Sequence, residues 1–361
     1  MARVTEGSKP GRARWLVERL TERVKAVRAL QRDVLKLRQR IDDLETAQRE
    51  VTAVARHADR AAMQVRLVAV LNQTQQNDIE RLAAVLDEAR IAEHVRRAVD
   101  AARLLTDPYE HIVIERLLPD DAYELLIRAI PPSEFFDDRD RIKQNLTFPM
   151  EYGPTLAVSV WGYMDDVIAK RIVRPAVFDK FHQPLQAHFR SVFGAEFLDR
   201  ANALPQAASG GRLMLRRPGY HLDPHRDPKR SMLTCLMYLA REGDSEEHGT
   251  QIFRVHDDED ADYKQTYYPA SAGHQCELVK VVPFRPNTML VFLNSRGAHG
   301  ATIPADAPAT LERYTYQFYV APLNEALSTL IKSLPPERRA KWKSRALAQP
   351  EYARSDGRAR E

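Results

Sequence analysis

The chain has 361 residues, with 54 Lys+Arg against 50 Asp+Glu and a net charge of +4. That balance does not call for a nucleic-acid partner, and two cysteines exclude a disulfide scaffold or a cysteine-rich zinc module. No apolar run approaches the roughly 18 residues of a membrane span, and the basic N-terminus is not followed by the apolar stretch of a secretory signal, so a soluble, cytoplasmic protein is expected.

Composition divides the chain near residue 107. Between Trp15 and Leu105 there is neither proline nor glycine, and both recur after Pro108. In the first part Leu16, Leu20, Val27, Leu30, Val34, Leu37, Ile41, Leu44, Val51, Ala55, Ala58, Ala62 and Val65 follow a 3–4 spacing, interrupted at Arg23 and Gln48. That period predicts a long coiled-coil helix. It serves either as a hairpin folded on the rest of the chain or as a stalk for homo-oligomerisation. The first forty residues carry twelve Lys/Arg against four acids, which read as the solvated face of the helix rather than a nucleic-acid or membrane surface. The polar run 72–78 should break the helix, with a second one over about 79–105.

From Tyr109 the pattern changes to α+β. A strand is expected at 111–115, then helices at 122–130, 163–170 and 175–193. Short strands follow at 212–216, 232–240, 250–255, 277–282, 288–292 and 314–320. Helices first and antiparallel strands after indicate a sandwich or barrel core. The expected domains are a basic helical region (1–106), a catalytic domain (107–325) and a basic, loosely ordered tail (326–361). On that division a chain begun near Asp107 would keep its site.

The candidate site lies in Gly219-Tyr220-His221-Leu222-Asp223-Pro224-His225-Arg226-Asp227. Strand residues i and i+2 share a face, so His225 and Asp227 can converge, and so can the neighbouring pair His221 and Asp223. His299, 72 residues beyond Asp227, supplies a third ligand. Two histidines and one carboxylate form the facial triad of non-haem Fe(II) oxygenases. Arg313 opens a strand in which Arg313, Thr315, Gln317 and Tyr319 share one face. A buried arginine there needs an anion, and its planar fork suits a carboxylate. Arg296 is a second candidate anion binder.

From about 109 to 321 the chain resembles the 2-oxoglutarate/Fe(II)-dependent dioxygenases of the prolyl-4-hydroxylase-like branch. The resemblance rests on His225-x-Asp227 with Pro224 before it, Thr234-Cys235-Leu236-Met237-Tyr238-Leu239, Gly249-Thr250-Gln251-Ile252-Phe253, His299 and Arg313, in that order. It implies a double-stranded β-helix, or jelly roll, with flanking helices. It implies Fe(II) on His225, Asp227 and His299, and the far carboxylate of 2-oxoglutarate on Arg313, with Tyr238 and Thr315 beside it. It further implies O₂-dependent hydroxylation of a C–H bond, with release of succinate and CO₂. The chain departs from the family at Ala240, at Thr250 and in a long 300–312 connection.

The substrate, a small molecule or a peptide with a prolyl or other target residue, is not disclosed. The acidic run 257–262 reads as a solvated loop or as a lid over a basic peptide. Arg216, Arg217, Arg226, Lys229 and Arg230 around the metal loop favour an anion. The competing function is a non-catalytic jelly-roll binding module on a helical stalk.

Overall fold

The computed structural model of the protein describes residues 11–137, 140–257, 266–340 and Trp342. The chain forms two compact units, Met1–Met63 and Gln64–Glu361. The first is the greater part of one helix, α1 (Gly11–Thr74). The absence of proline and glycine lets this helix run for 64 residues, and the polar run at 72–78 ends it as expected. No helix among the described residues is long and apolar enough to cross a membrane.

In the second unit α1 is followed by two single turns, α2 (Gln76–Glu80) and α3 (Leu82–Val85), and then by α4 (Glu88–Ala101). The Asp87 carboxylate caps α4 by accepting the Arg90 N–H at 2.7 Å. Ile91, Val95 and Val99, four apart on one face, are fully buried in the main core. The expected boundary at 106/107 therefore falls inside the second unit. Proline and glycine content marked where regular helix gives way to turns, which is not where packing begins.

The next elements are β1 (His111–Ile114), α5 (Asp120–Arg128), β2 (Lys143–Thr147) and α6 (Thr155–Tyr163). The α6 helix continues as a π-helical stretch, Met164–Val173, into α7 (Arg174–Lys180) and α8 (His182–Phe193). After a short α9 (Leu198–Asn202) come eight strands. These are β3 (Gln206–Arg216), β4 (His221–His225), β5 (Leu233–Tyr238), β6 (Thr250–Val255), β7 (Cys276–Val282), β8 (Thr288–Leu293), β9 (Ala298–Thr302) and β10 (Arg313–Pro322). All pair antiparallel, in a six-stranded sheet of order β1-β8-β5-β10-β3-β2 and a four-stranded sheet of order β4-β9-β6-β7. This is the expected α+β jelly roll with flanking helices.

Alternation sorts the large sheet into two faces. On β5, Leu233, Cys235 and Met237 join the core shared with the helices, while Leu236 and Tyr238 face the other way. On β8 the corresponding sets are Met289, Val291 and Leu293 against Leu290 and Phe292. On β10, Tyr314, Tyr316, Phe318 and Val320 are in the helix-side core, which leaves Arg313, Thr315, Gln317 and Tyr319 to line a cavity. Both faces of these strands are covered, so they read as near-continuous buried runs.

The tail is better ordered than its composition suggests. The segment 324–340 forms α10 (Asn324–Ser333) and α11 (Pro336–Ala340). Leu327, Leu330 and Leu334 bury at 3–4 spacing in the main core, which outweighs the charge of the segment. Residues 343–361 of the expected loose tail lie outside the described ones.

These boundaries lead to a test by truncation. Losing one fully buried aliphatic side chain costs about 2–5 kcal/mol, so losing Ile91, Val95 and Val99 together rivals the roughly 5–15 kcal/mol that holds a domain folded. A chain begun at Gln64 is expected to melt cooperatively by circular dichroism, and one begun at Asp107 is expected to show no cooperative transition.

Candidate metal centre

The site is built where β4 and β9 pair. Their register sets Leu222 opposite Ala301 and then His225 opposite His299. Three steps on β4 thus match two on β9, so one extra residue bulges out of β4. The bulge contains Pro224, which has no N–H to offer the ladder. It also separates the two candidate His-x-Asp pairs. His221 and Asp223 lie before it, on the more exposed side, and bind each other at 2.7 Å. His221 also meets the Thr302 hydroxyl at 3.0 Å. His225 and Asp227 lie beyond it, buried with His299.

Two glycines hold β9 in place. Gly297 has φ +68, and a Cβ there would fall 2.1 Å from the Tyr109 ring. A Cβ on Gly300 would fall 2.7 Å from the Leu222 carbonyl, so the strands can approach this closely only with glycine there.

Ligand atoms of His225, Asp227 and His299 all lie within 4.8 Å of one another. Nε2 of His225 stands 3.9 Å from one Asp227 oxygen and Nε2 of His299 stands 3.7 Å from the other. The Nδ1 of His225 is 2.9 Å from the Asp223 carbonyl. Since a carbonyl can only accept, Nδ1 carries the proton and Nε2 keeps its lone pair for a metal. Burial lowers the pKa of His225, and the Lys143 charge pushes the same way. Burial likewise lowers His299, to about 3. Burial alone would raise Asp227, but His299, His225 and a hydrogen bond from Thr234 outweigh it, so its pKa is lowered and the carboxylate stays ionised. Two neutral imidazoles and one carboxylate are the donor set of a divalent-metal facial triad. The residues therefore fit the metal.

Further side chains orient these ligands. The Thr234 hydroxyl donates to Asp227 at 2.7 Å and accepts from the Asn294 amide at 2.8 Å. The Tyr319 hydroxyl lies 3.4 Å from the other Asp227 oxygen and accepts from Arg212 at 3.1 Å. Arg212 also donates to the Gln317 carbonyl oxygen at 2.8 Å. Arg212, Thr234 and Asn294 had no assigned role in the sequence. Only the membership of Gln317 and Tyr319 in one strand face pointed toward this network.

Arg313 opens onto the same cavity, of about 950 Å³. It is 5 % exposed, packs over Phe284 at 4.8 Å and Tyr238 at 5.7 Å, and donates through Nε to the His248 carbonyl. Burial lowers its pKa, and no carboxylate pairs with it among the described residues. Thr315 and Tyr238 sit opposite each other across β10 and β5. The Thr315 hydroxyl is buried without a partner, and the Tyr238 hydroxyl, near Thr250, makes no hydrogen bond of good geometry. A buried cation flanked by two unsatisfied hydroxyls fits a bound carboxylate. Arg296 is exposed and lies off the cavity, which removes it as a competing anchor. Asp257 is exposed, and the rest of the acidic run lies outside the described residues.

No protein-family model and no curated protein matches the chain. Solved structures do. A Pseudomonas putida prolyl-4-hydroxylase is 15% identical over 65% of this chain and 100% of its own, with a TM-score of 0.36. A 2OG-Fe(II) oxygenase-family oxidoreductase from Burkholderia pseudomallei is 10% identical over 66% and 91%, with a TM-score of 0.34. HygX from Streptomyces hygroscopicus, solved with nickel, 2-oxoglutarate and hygromycin B, is 14% identical over 59% and 83%, with a TM-score of 0.33.

The two His-x-Asp pairs can be told apart by calorimetric titration of Co(II) into the anaerobic protein. His225→Ala and Asp227→Ala should abolish binding, and His221→Ala and Asp223→Ala should leave it within about threefold, a difference below 1 kcal/mol. Protons compete with metal for Nε2, so affinity falls with pH through the folded-state pKa of each imidazole. Because burial lowers both, affinity should hold level down to about pH 6.5, where an ordinary histidine would already be half protonated.

Proposed function

We propose that the protein is an Fe(II)- and 2-oxoglutarate-dependent dioxygenase. It would hydroxylate a C–H bond of a small-molecule or peptide substrate, prolyl or other. The observation that carries this reading is one cavity holding both a buried His225/Asp227/His299 set and, on β10, the Arg313 guanidinium and the unsatisfied Thr315 hydroxyl. The balance is substrate C–H plus O₂ plus 2-oxoglutarate giving substrate C–OH plus succinate plus CO₂.

Iron, when bound, supplies the activation of O₂. The chain supplies position and charge. His225, Asp227 and His299 hold one side of the metal and leave the other side open. Thr234 and Tyr319 fix the two Asp227 oxygens. Arg313 pairs with the far carboxylate of 2-oxoglutarate, and Tyr238 and Thr315 donate their hydroxyl protons to it. Phe284 and Tyr238 keep water from that pair, which strengthens it. Cys235 is buried and in no disulfide, which suits a reducing cytoplasm.

Arg313 identifies the co-substrate. A charge-assisted hydrogen bond to a carboxylate contributes about 1.5–3 kcal/mol, a guanidinium fork can make one or two of them, and about 1.4 kcal/mol is tenfold in affinity. Arg313→Ala should therefore weaken 2-oxoglutarate binding about tenfold to a thousandfold, with Co(II) affinity little changed. Arg313→Lys should recover part of the loss, since the charge survives and the fork does not. Anaerobic titration of 2-oxoglutarate into the Fe(II) protein, followed by its charge-transfer absorbance, measures this. Unchanged affinity in Arg313→Ala would place the anchor elsewhere. A wild-type protein that binds metal but no 2-oxoglutarate would favour the non-catalytic binding module.

A further inference from the structure

We infer that the substrate carries an anionic group, a carboxylate or a phosphate, received by the cavity wall that Lys143 of β2 and Arg212 of β3 provide. The inference rests on the dioxygenase reading of the same site. With histidines neutral, the described residues that line the cavity include five cations (Lys143, Arg212, Arg216, Arg230 and Arg313) and three carboxylates (Asp137, Asp140 and Asp227), an excess of 5 − 3 = 2 positive charges among them. A divalent metal and doubly charged 2-oxoglutarate cancel each other, so the excess survives when both are bound.

The carboxylates keep their charge too and are already counted in that excess. Asp137 accepts the Asn145 N–H at 2.9 Å, Asp140 accepts the Ile142 N–H at 2.8 Å, and Asp227 belongs to the metal set. The guanidinium groups donate to neutral acceptors. Arg216 is buried against the Gln144 carbonyl at 2.7 Å and the Asn145 side-chain oxygen at 3.0 Å. Arg212 is held by Gln317 and Tyr319. Neutral acceptors satisfy N–H geometry but leave the charge in place.

Of the other basic residues near the metal loop, Arg230 is exposed and the rest are spent on structure. Arg217 pairs with Glu312 at 2.8 Å, Arg226 donates to the Gly297 carbonyl, and Lys229 is buried over the Trp342 ring. Arg212 is the cation tied to the metal ligands, through Tyr319, and Lys143 is exposed on the neighbouring strand, opposite Arg216 and four positions along from the residue that faces Arg212. An anion seated there brings the rest of the substrate toward the open side of the metal.

The test uses full-length protein loaded with Zn(II) and saturating 2-oxoglutarate, so that Arg313 is occupied and no turnover occurs. Benzoate, phenyl phosphate and benzamide are titrated in by calorimetry. One of the anions should bind at least about tenfold tighter than benzamide, and the stronger of the two identifies the group as carboxylate or phosphate. The exposed Lys143→Gln should weaken that anion severalfold without changing the 2-oxoglutarate constant, and Arg212→Gln should weaken the anion severalfold as well. Benzamide binding as well as the anions, or both variants binding the anion like wild type, would overturn the inference. Wild-type protein that fails to bind 2-oxoglutarate would overturn the dioxygenase reading and this inference with it.

A separate observation on α1 points to a second copy of this chain as a partner, paired as a parallel two-stranded coiled coil. The seam is exposed in the single chain, with Leu30, Leu37 and Leu44 at 65, 58 and 69 % and Val34 and Ile41 also open. Heptad assignment puts Val27, Val34 and Ile41 at a and Leu30, Leu37 and Leu44 at d. β-Branched residues at a with leucine at d favour two parallel strands. The flanking charges agree. In a parallel in-register pair each g residue faces the e residue five positions on in its partner. Asp33 then faces the second copy's Arg38, and Arg40 faces the second copy's Glu45, each twice. Within one chain Glu45 makes an exposed contact to Arg49 at 3.6 Å, which is worth little.

Two measurements test this pairing. Sedimentation should give a dimer, and Leu37→Asp with Leu44→Asp should give a monomer. In a Cys276→Ser background, Leu30→Cys and Val51→Cys, made separately, should each oxidise to a linked dimer, because only a parallel in-register pair brings both positions together. Asp33→Lys should weaken the dimer, and adding Arg38→Glu should restore it. A monomeric wild type, a dimer that survives the double aspartate change, or linkage at neither cysteine would overturn the proposal.

Discussion

The close antiparallel pairing of β4 with β9 is the constraint on which the rest depends. It brings the backbones of residues 225 and 299 opposite each other although 74 residues separate them in the chain, and it does so only because Gly300 offers no Cβ to the Leu222 carbonyl. Once the two imidazoles face each other, with ring centroids 4.1 Å apart, a carboxylate two residues past His225 has little choice of position. The bulge at Pro224 then decides which of two similar His-x-Asp pairs turns inward. Burial completes the preparation, since imidazoles removed from water are held neutral and offer their lone pairs at working pH.

The large sheet does two jobs with one set of strands. Its helix-side residues join α4–α8 and α10 in one apolar core, and that core offsets what the opposite face costs. The opposite face buries Arg313 without a carboxylate and leaves the Thr315 hydroxyl unsatisfied, features that each oppose folding by kcal/mol amounts. Alternation along β10 keeps the two apart, with Tyr314, Tyr316 and Phe318 on one side and Arg313, Thr315 and Gln317 on the other.

The legible parts of the sequence were those with local signals. Strands β5, β6, β8 and β10 are apolar runs bounded by turns, and they were found to within a few residues. Strands β2, β4 and β9 were not, because Lys143–Thr147, His221–His225 and Ala298–Thr302 are short and polar or small. β2 lies at the sheet edge, where polar composition is the rule. Leu327, Leu330 and Leu334 were masked by basic neighbours, and α4 fell into the same helical region as α1 because no proline or glycine separates them. The ligands themselves were legible because their residue types are rare together. Thr234, Asn294 and Arg212 were not, since their roles exist only after residues 60 to 105 positions apart meet.

Arg212 shows why such residues escape a sequence reading. Its neighbours in the chain, Gly211 and Leu213, say nothing of charge. Its partners, Gln317 and Tyr319, lie on the adjacent strand, and Tyr319 in turn meets Asp227. One hydrogen-bonded path thus runs from a cation in the cavity wall to a carboxylate at the metal set. A change in what Arg212 binds alters the field at Tyr319 and hence at Asp227, because charges in a partly buried site are weakly screened. The side chain proposed to receive an anion is thus also coupled to Asp227, and the fold joins them through Tyr319 on the strand beside it.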